Sequence, residues 1–321
     1  MRPPHVLVLI GLVVCGCASH GNPVIPRPCL ESAPAPSVDL WPGWDESGSG
    51  VYYIHTGRTS SDSTCFAWVG LGGGQRRLGR VAPGAHECAY SPDGQTVVYG
   101  VGLELWSQGL GTTADARQLT IGGFGCHWPR WDPAGRTLAY SRVLHYAGLS
   151  DSTAGLRIMV VMSAADRALM KNGTTPWHAR GPVAWSPDGS ELAFVDADTI
   201  VDGRTRLVVV AQVGGVGRTV GWVDGVPGGI VWLADGGGWF YDSTPRGCEN
   251  IESARRTWHM GPNGATEVAE PDLGDARVVN GFPFVVSPNQ TISAHVGLDG
   301  AYGVIVVTER ESGRLRILTR P

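Results

Sequence analysis

The chain has 321 residues, with 47 Gly, 22 Pro and 17% charged side chains. Glycine is about twice the globular average and charge falls below it, yet 42% of residues are hydrophobic, which excludes disorder, collagen and coiled coil and leaves a turn-rich, all-β protein. The net charge is only −4 and the arginines are scattered, so there is no electrostatic footprint for nucleic acid.

In chain order, residues 1–16 read as an exported signal. Arg2 precedes the short apolar run Val6–Val14, which is too short to span a bilayer as a helix and fits a signal-peptide core. The end of this segment, Val14-Cys15-Gly16-Cys17, resembles a bacterial lipobox. That resemblance implies cleavage before Cys17 and diacylglycerol on its thiol. Several acyl chains anchor a protein stably where one binds marginally. Ala18 follows the cysteine, where an aspartate marks inner-membrane retention in many Gram-negative lipoproteins. The expected address is the cell envelope, on an outer membrane facing the periplasm or the cell surface if the cell is Gram-negative. Residues 17–38 are proline-rich and read as an extended tether.

From residue 39 to 321 a repeat organises the chain. Ala89-Tyr-Ser-Pro-Asp-Gly94 recurs as Ala184-Trp-Ser-Pro-Asp-Gly189 and, more loosely, as Arg130-Trp-Asp-Pro-Ala-Gly135. Weaker copies end at Gly48, Gly236 and Gln290. Four positions before these ends stand Trp44, Tyr90, Trp131, Trp185, Trp232 and Val286; five positions after stand Tyr53, Tyr99, Tyr140, Phe194, Tyr241 and His295. The copies lie 41 to 54 residues apart, which suits one four-stranded blade each. In each unit a strand ends near the aromatic, Pro-Asp-Gly makes the turn, and an alternating apolar strand follows. A single blade cannot bury both its faces, so stacking around an axis is required.

This pattern resembles the TolB-like β-propeller repeat over residues 40–321. It implies a six-bladed β-propeller of four-stranded antiparallel blades, and protein–protein contacts as its use. The helical domain that precedes the repeats in TolB itself has no counterpart here, and no G-x-S-x-G nucleophile elbow occurs.

The Ser-Pro-Asp-Gly turns should lie on one face of the propeller. The segments His55–Ser63, Leu144–Ala154, Ala197–Thr205 and Asp242–Arg256 then form loops on the other face. His86 and His127 stand eight positions before Gly94 and Gly135. They are therefore equivalent in neighbouring blades, at the start of the first strand near the axis. With Glu87, Trp128 and His178 they are the expected binding residues of the axial mouth. Neither a metal nor any cofactor is expected; a metal would need a third ligand, Glu87 or His178. Asp93 and Asp188 read as turn residues, not acid–base groups.

After cleavage five cysteines remain, and an exported protein can form disulfides. Cys88 and Cys126 begin first strands of neighbouring blades and are the favoured pair. The expected role is a monomeric, lipid-anchored interaction module for an envelope protein. The alternative is a propeller that binds or cleaves carbohydrate at its axial mouth. The discriminating feature would be carboxylates, histidines and tryptophans clustered there.

Overall fold

The computed structural model describes residues 38–56, 64–82, 84–111, 116–123, 125–143, 155–179, 181–202, 204–233, 238–244, 256–261, 264–268, 277–278, 285–289, 291–299, 302–309, 312 and 314–319. Every regular element among them is a strand, and none is a helix long and apolar enough to cross a membrane. Cys17 and the whole leader and tether lie outside the described residues.

The strands follow the repeats. The first holds β1 (Val38–Trp44), β2 (Gly50–Thr56), β3 (Cys65–Gly70) and β4 (Gln75–Arg80). The second holds β5 (Ala85–Tyr90), β6 (Thr96–Val101), β7 (Glu104–Gly109) and β8 (Arg117–Gln118). The third holds β9 (Gly125–Trp131), β10 (Thr137–Val143), β11 (Gly155–Val160) and β12 (Ala165–Ala168). The fourth holds β13 (Ala184–Trp185), β14 (Glu191–Val201), β15 (Arg204–Ala211) and β16 (Arg218–Asp224). The fifth holds β17 (Val226–Trp232), β18 (Trp239–Thr244), β19 (Arg256–Gly261) and β20 (Gly264–Val268). The sixth holds β21 (Arg277–Val278), β22 (Val285–Val286), β23 (Ile292–Asp299), β24 (Tyr302–Glu309) and β25 (Leu315–Ile317). The arrangement is a β-propeller of antiparallel four-stranded blades.

Among the described residues the sheets number five, where six were expected. Four are four-stranded and correspond to the second to fifth repeats, while the first and sixth run together in one nine-stranded sheet. The join is a parallel pairing of β1 with β24 at Val38 and Gly303. β1 thus finds a partner edge on the sixth repeat, which leaves fewer unpaired strand edges among the described residues.

Turn chemistry sets each blade's first corner. Asp93 Oδ1 accepts from the Ser91 hydroxyl at 2.5 Å and from the Gln95 N–H at 3.0 Å. Asp188 repeats this with Ser186 at 2.6 Å and Ser190 N–H at 3.0 Å. Gly94 and Gly189 take φ of 66° and 72°, which glycine adopts without a Cβ penalty. These aspartates are turn residues, as their context implied.

Alternation then fills both faces of each sheet. Val97 and Tyr99 pack back on Tyr52, Ile54 and Phe66 of the first repeat, while Val98 packs forward on Leu138 and Tyr140 of the third. Ala139 and Ile158 meet Phe194 and Val208, and Val195 and Leu207 meet Ile230 and Tyr241. Val51 and Tyr53 meet Val296 and Ile305 of the sixth repeat. Each large apolar side chain so enclosed contributes about 1.5–3 kcal/mol relative to exposure.

The aromatic column does more than fill space. The Trp131 indole N–H donates to the Ala89 carbonyl at 3.0 Å, Trp185 to Arg130 at 3.0 Å, and Trp44 to Val285 at 3.0 Å. Each acceptor lies five positions before its own turn residue, in the preceding repeat. The third bond runs from the first repeat to the sixth. Tryptophan suits this column because its ring packs between blades while its N–H satisfies a first-strand carbonyl.

One expected loop is a hairpin instead. Residues 197–201 and 204–205 extend β14 and β15, with a register shift between Val195 and Ile200. Residues 57–63, 144–154 and 245–255, the bulk of the other three expected loops, lie outside the described residues.

Candidate functional site

The first strand of a blade carries its site residues on an irregularity. β1 pairs with β2 regularly up to Leu40 and again from Gly43; β5 shifts register between His86 and Ala89; β9 shifts between His127 and Arg130. These are the same columns in three consecutive repeats. Inside each bulge one non-glycine residue is left-handed: Trp41 at φ 57°, Glu87 at 51° and Trp128 at 55°. Such residues cost about 1–3 kcal/mol each and persist only where surroundings enforce them. A bulge of this kind re-aims a side chain away from the strand's regular alternation.

The bulges bring Glu87, His127, Trp128 and His86 together. His127 Nδ1 lies 3.2 Å from both Glu87 carboxylate oxygens, and the Trp128 backbone N–H donates to Glu87 Oε2 at 2.7 Å. The His86 and His127 ring centroids are 6.4 Å apart, and the Trp128 ring is 5.5 Å from His127. His86 Nδ1 is 3.1 Å from the Gly84 carbonyl. A carbonyl only accepts, so Nδ1 carries a proton, and in the neutral ring Nε2 is the acceptor nitrogen. The His86 ring lies over Gly100, where an added Cβ would stand 2.6 Å from Nε2. The hydrogen bond from His127 to Glu87 raises the imidazole pKa above its usual value; partial burial opposes this and the carboxylate charge supports it. One donor atom each from His86, Glu87 and His127 lie within 4.8 Å of one another, an arrangement able to hold a metal ion.

His178 does not join them. It hydrogen bonds through Nδ1 to Asp198 at 2.9 Å, in the fourth repeat. Lys171 also pairs with Asp198, and the fully buried Asp196 accepts from Arg206 Nε at 2.8 Å and from the Thr199 hydroxyl at 2.8 Å. Burial works to raise the Asp198 pKa, but the bonds from Lys171 and His178 prevail and lower it. Trp177, adjacent to His178, is a core residue whose N–H donates to Gly215 at 3.1 Å.

Cys88 and Cys126 carry free thiols, so the favoured disulfide is not formed. The reason is the side each faces. Cys88 packs against Tyr99 and Phe66 in the core between the first two repeats, whereas Cys126 packs with Val98 and Leu138 in the core between the second and third. Burial raises both thiol pKa values, that of Cys126 to about 11, which leaves neither nucleophilic.

Beside the histidine cluster the first strands enclose a cavity of about 340 Å³. All six repeats line it, with Trp41, Tyr90, Trp131, Trp185 and Trp232 as its aromatic walls and Arg130 as its cation. Burial pulls the Arg130 pKa down to about 10, against the influence of the Glu87 charge. The guanidinium's hydrogen bond is to the carbonyl of its own neighbour, Pro129, at 2.9 Å. The Tyr90 hydroxyl and the Trp232 indole N–H, both on lining residues, have no hydrogen-bond partner among the described residues. Arg130 was not singled out in the sequence; its position beside the aromatic of the third repeat was the available signal.

The chain matches no profile of a known protein family and no curated protein. Solved structures do match. A putative TolB from Agrobacterium tumefaciens aligns at a TM-score of 0.57 and 15% identity, over 77% of this chain and 84% of that one. TolB from Acinetobacter baumannii aligns at 0.57 and 12%, over 89% of this chain and 64% of that one. An oligogalacturonate lyase in complex with manganese aligns at 0.53 and 13%, over 87% and 77%. What the chain shares with all three is an architecture: four-stranded antiparallel blades in a TolB-like propeller.

Proposed function

We propose that this chain is a lipid-anchored cell-envelope propeller that binds a partner protein at its axis and is not itself an enzyme. In this reading the nine-stranded sheet is two blades, the first and the sixth, and the propeller has six. The leader ends at Cys17, which carries the lipid, and residues 17–38 hold the propeller off the membrane.

The observation that carries the binding role is the axial cavity. Tryptophan, tyrosine and arginine dominate protein hot spots, and they wall this space. Arg130 gives one guanidinium bond, to the Pro129 carbonyl, and no other among the described residues, so it can offer donors to a ligand's acceptors. The lining carboxylate Asp132 is committed to its turn, accepting from Arg136 N–H at 2.7 Å and Thr137 N–H at 2.9 Å. That favours binding over acid–base chemistry.

Carbohydrate is the second reading, favoured by the same aromatics and by Glu87 with its two histidines. A photocrosslinking residue placed at Trp128 in living cells separates the two. The expected result is a discrete crosslinked protein that is absent when the probe is at Trp222 on the outer edge and lost in Arg130→Ala. Absence of any protein adduct, with glycan binding lost in Arg130→Ala, overturns the first reading for the second. Labelling with an alkyne fatty acid should mark the parent and not Cys17→Ser.

A further inference from the structure

We propose that His86, His127 and Glu87 form a site for a divalent transition-metal ion of the zinc class. This is independent of what the axial cavity binds. The donor set is two imidazoles and one carboxylate, contributed by adjacent first strands, and their donor atoms lie within 4.8 Å of one another. Donors around zinc sit about 3–3.5 Å apart, so modest side-chain rotation closes the set. Nitrogen and oxygen donors of this kind suit zinc and its neighbours rather than calcium or magnesium.

Three further features point to a ligand. The Gly84 carbonyl engages His86 Nδ1, which leaves Nε2 as the nitrogen that can bind an ion when the ring is neutral. The Trp128 N–H holds the Glu87 carboxylate. Such outer partners orient metal ligands in known sites. The third feature is the backbone. Glu87 itself is the left-handed residue of its bulge, and Trp128 of the next. The same geometry recurs at Trp41, and in the second and third repeats it is what sets Glu87 beside His127. Three protein ligands leave a fourth position for water or a ligand atom.

The test uses the tag-free full chain, stripped with chelator and dialysed against buffered micromolar Zn²⁺. About one equivalent of zinc should remain bound and the melting temperature should rise. His86→Ala and His127→Ala should each bind about tenfold more weakly or worse, and His178→Ala should bind as the parent does. Less than a tenth of an equivalent in the parent, or undiminished binding in both variants, overturns the proposal. Where a variant loses its cooperative melt, Cu²⁺ electron paramagnetic resonance of the parent decides. Hyperfine structure from two nitrogen ligands supports the site, and sulfur or all-oxygen ligation overturns it.

Discussion

Two histidines of this protein sit beside carboxylates in contrasting ways. His178 shares Asp198 with Lys171, and the neighbouring Asp196 is fully buried against Arg206. Cations and carboxylates there satisfy one another, and both Lys171 and Arg206 also lie over the Trp177 ring, at 4.7 and 5.7 Å. The cluster is closed, and its role is to hold the long β14–β15 hairpin. His86 and His127 instead place donor atoms within 4.8 Å of Glu87 and of each other, beside a backbone held in left-handed geometry. Donors gathered on strained strands are held for something else.

The largest expected effect separates the two. Asp196→Ala removes the buried acceptor of Arg206 and Thr199 and should cost about 3 kcal/mol, read as a fall in the urea midpoint, while zinc binding by the folded fraction is unchanged. Trp185→Phe removes a bond between the third and fourth repeats and should cost about 1–3 kcal/mol, with no effect at either histidine. Gly100→Ala sharpens the comparison from the other side. The new methyl should displace the His86 ring, weakening zinc about tenfold with little change in melting temperature, as isothermal titration would show.

Two further effects are smaller and depend on pH. The His127 pKa is raised in the folded state by Glu87. Its contribution is therefore complete below the unfolded value of about 6.5 and is lost as pH rises through the folded pKa. Glu87→Gln should lower the pKa read by NMR titration of the His127 ring. The stability gap between parent and variant should be wider at pH 6 than at pH 8. Asp188 is the opposite case. The Ser186 hydroxyl, then Ser190, lower its pKa to about 2. Its contribution is present above the unfolded value of about 3.9 and is lost as pH falls toward 2. Asp188→Asn should therefore differ from the parent at pH 5 and converge with it near pH 2 in thermal melts.

The repeat columns made much of this legible. Turn glycines, the aromatic column and the equivalence of His86 with His127 all follow from residue identity. The bulge does not, because its left-handed position holds Trp41, Glu87 and Trp128, with no glycine or asparagine to mark it. Nor could adjacency in sequence reveal that His178 is captured by Asp198, twenty residues on and across a hairpin. The thiols Cys88 and Cys126 mislead for a related reason. Similar positions along neighbouring strands say nothing of which side of the sheet each faces when a bulge intervenes.

The indole bond from Trp44 to Val285 spans 241 positions of the chain. An open stack of repeats can fray from either end, one unit at a time. Here the two ends hold each other, so neither terminal unit can peel away without releasing its counterpart. Backbone amides of β2 and β23 should therefore exchange with deuterium at matching rates, and Trp44→Phe should speed both together.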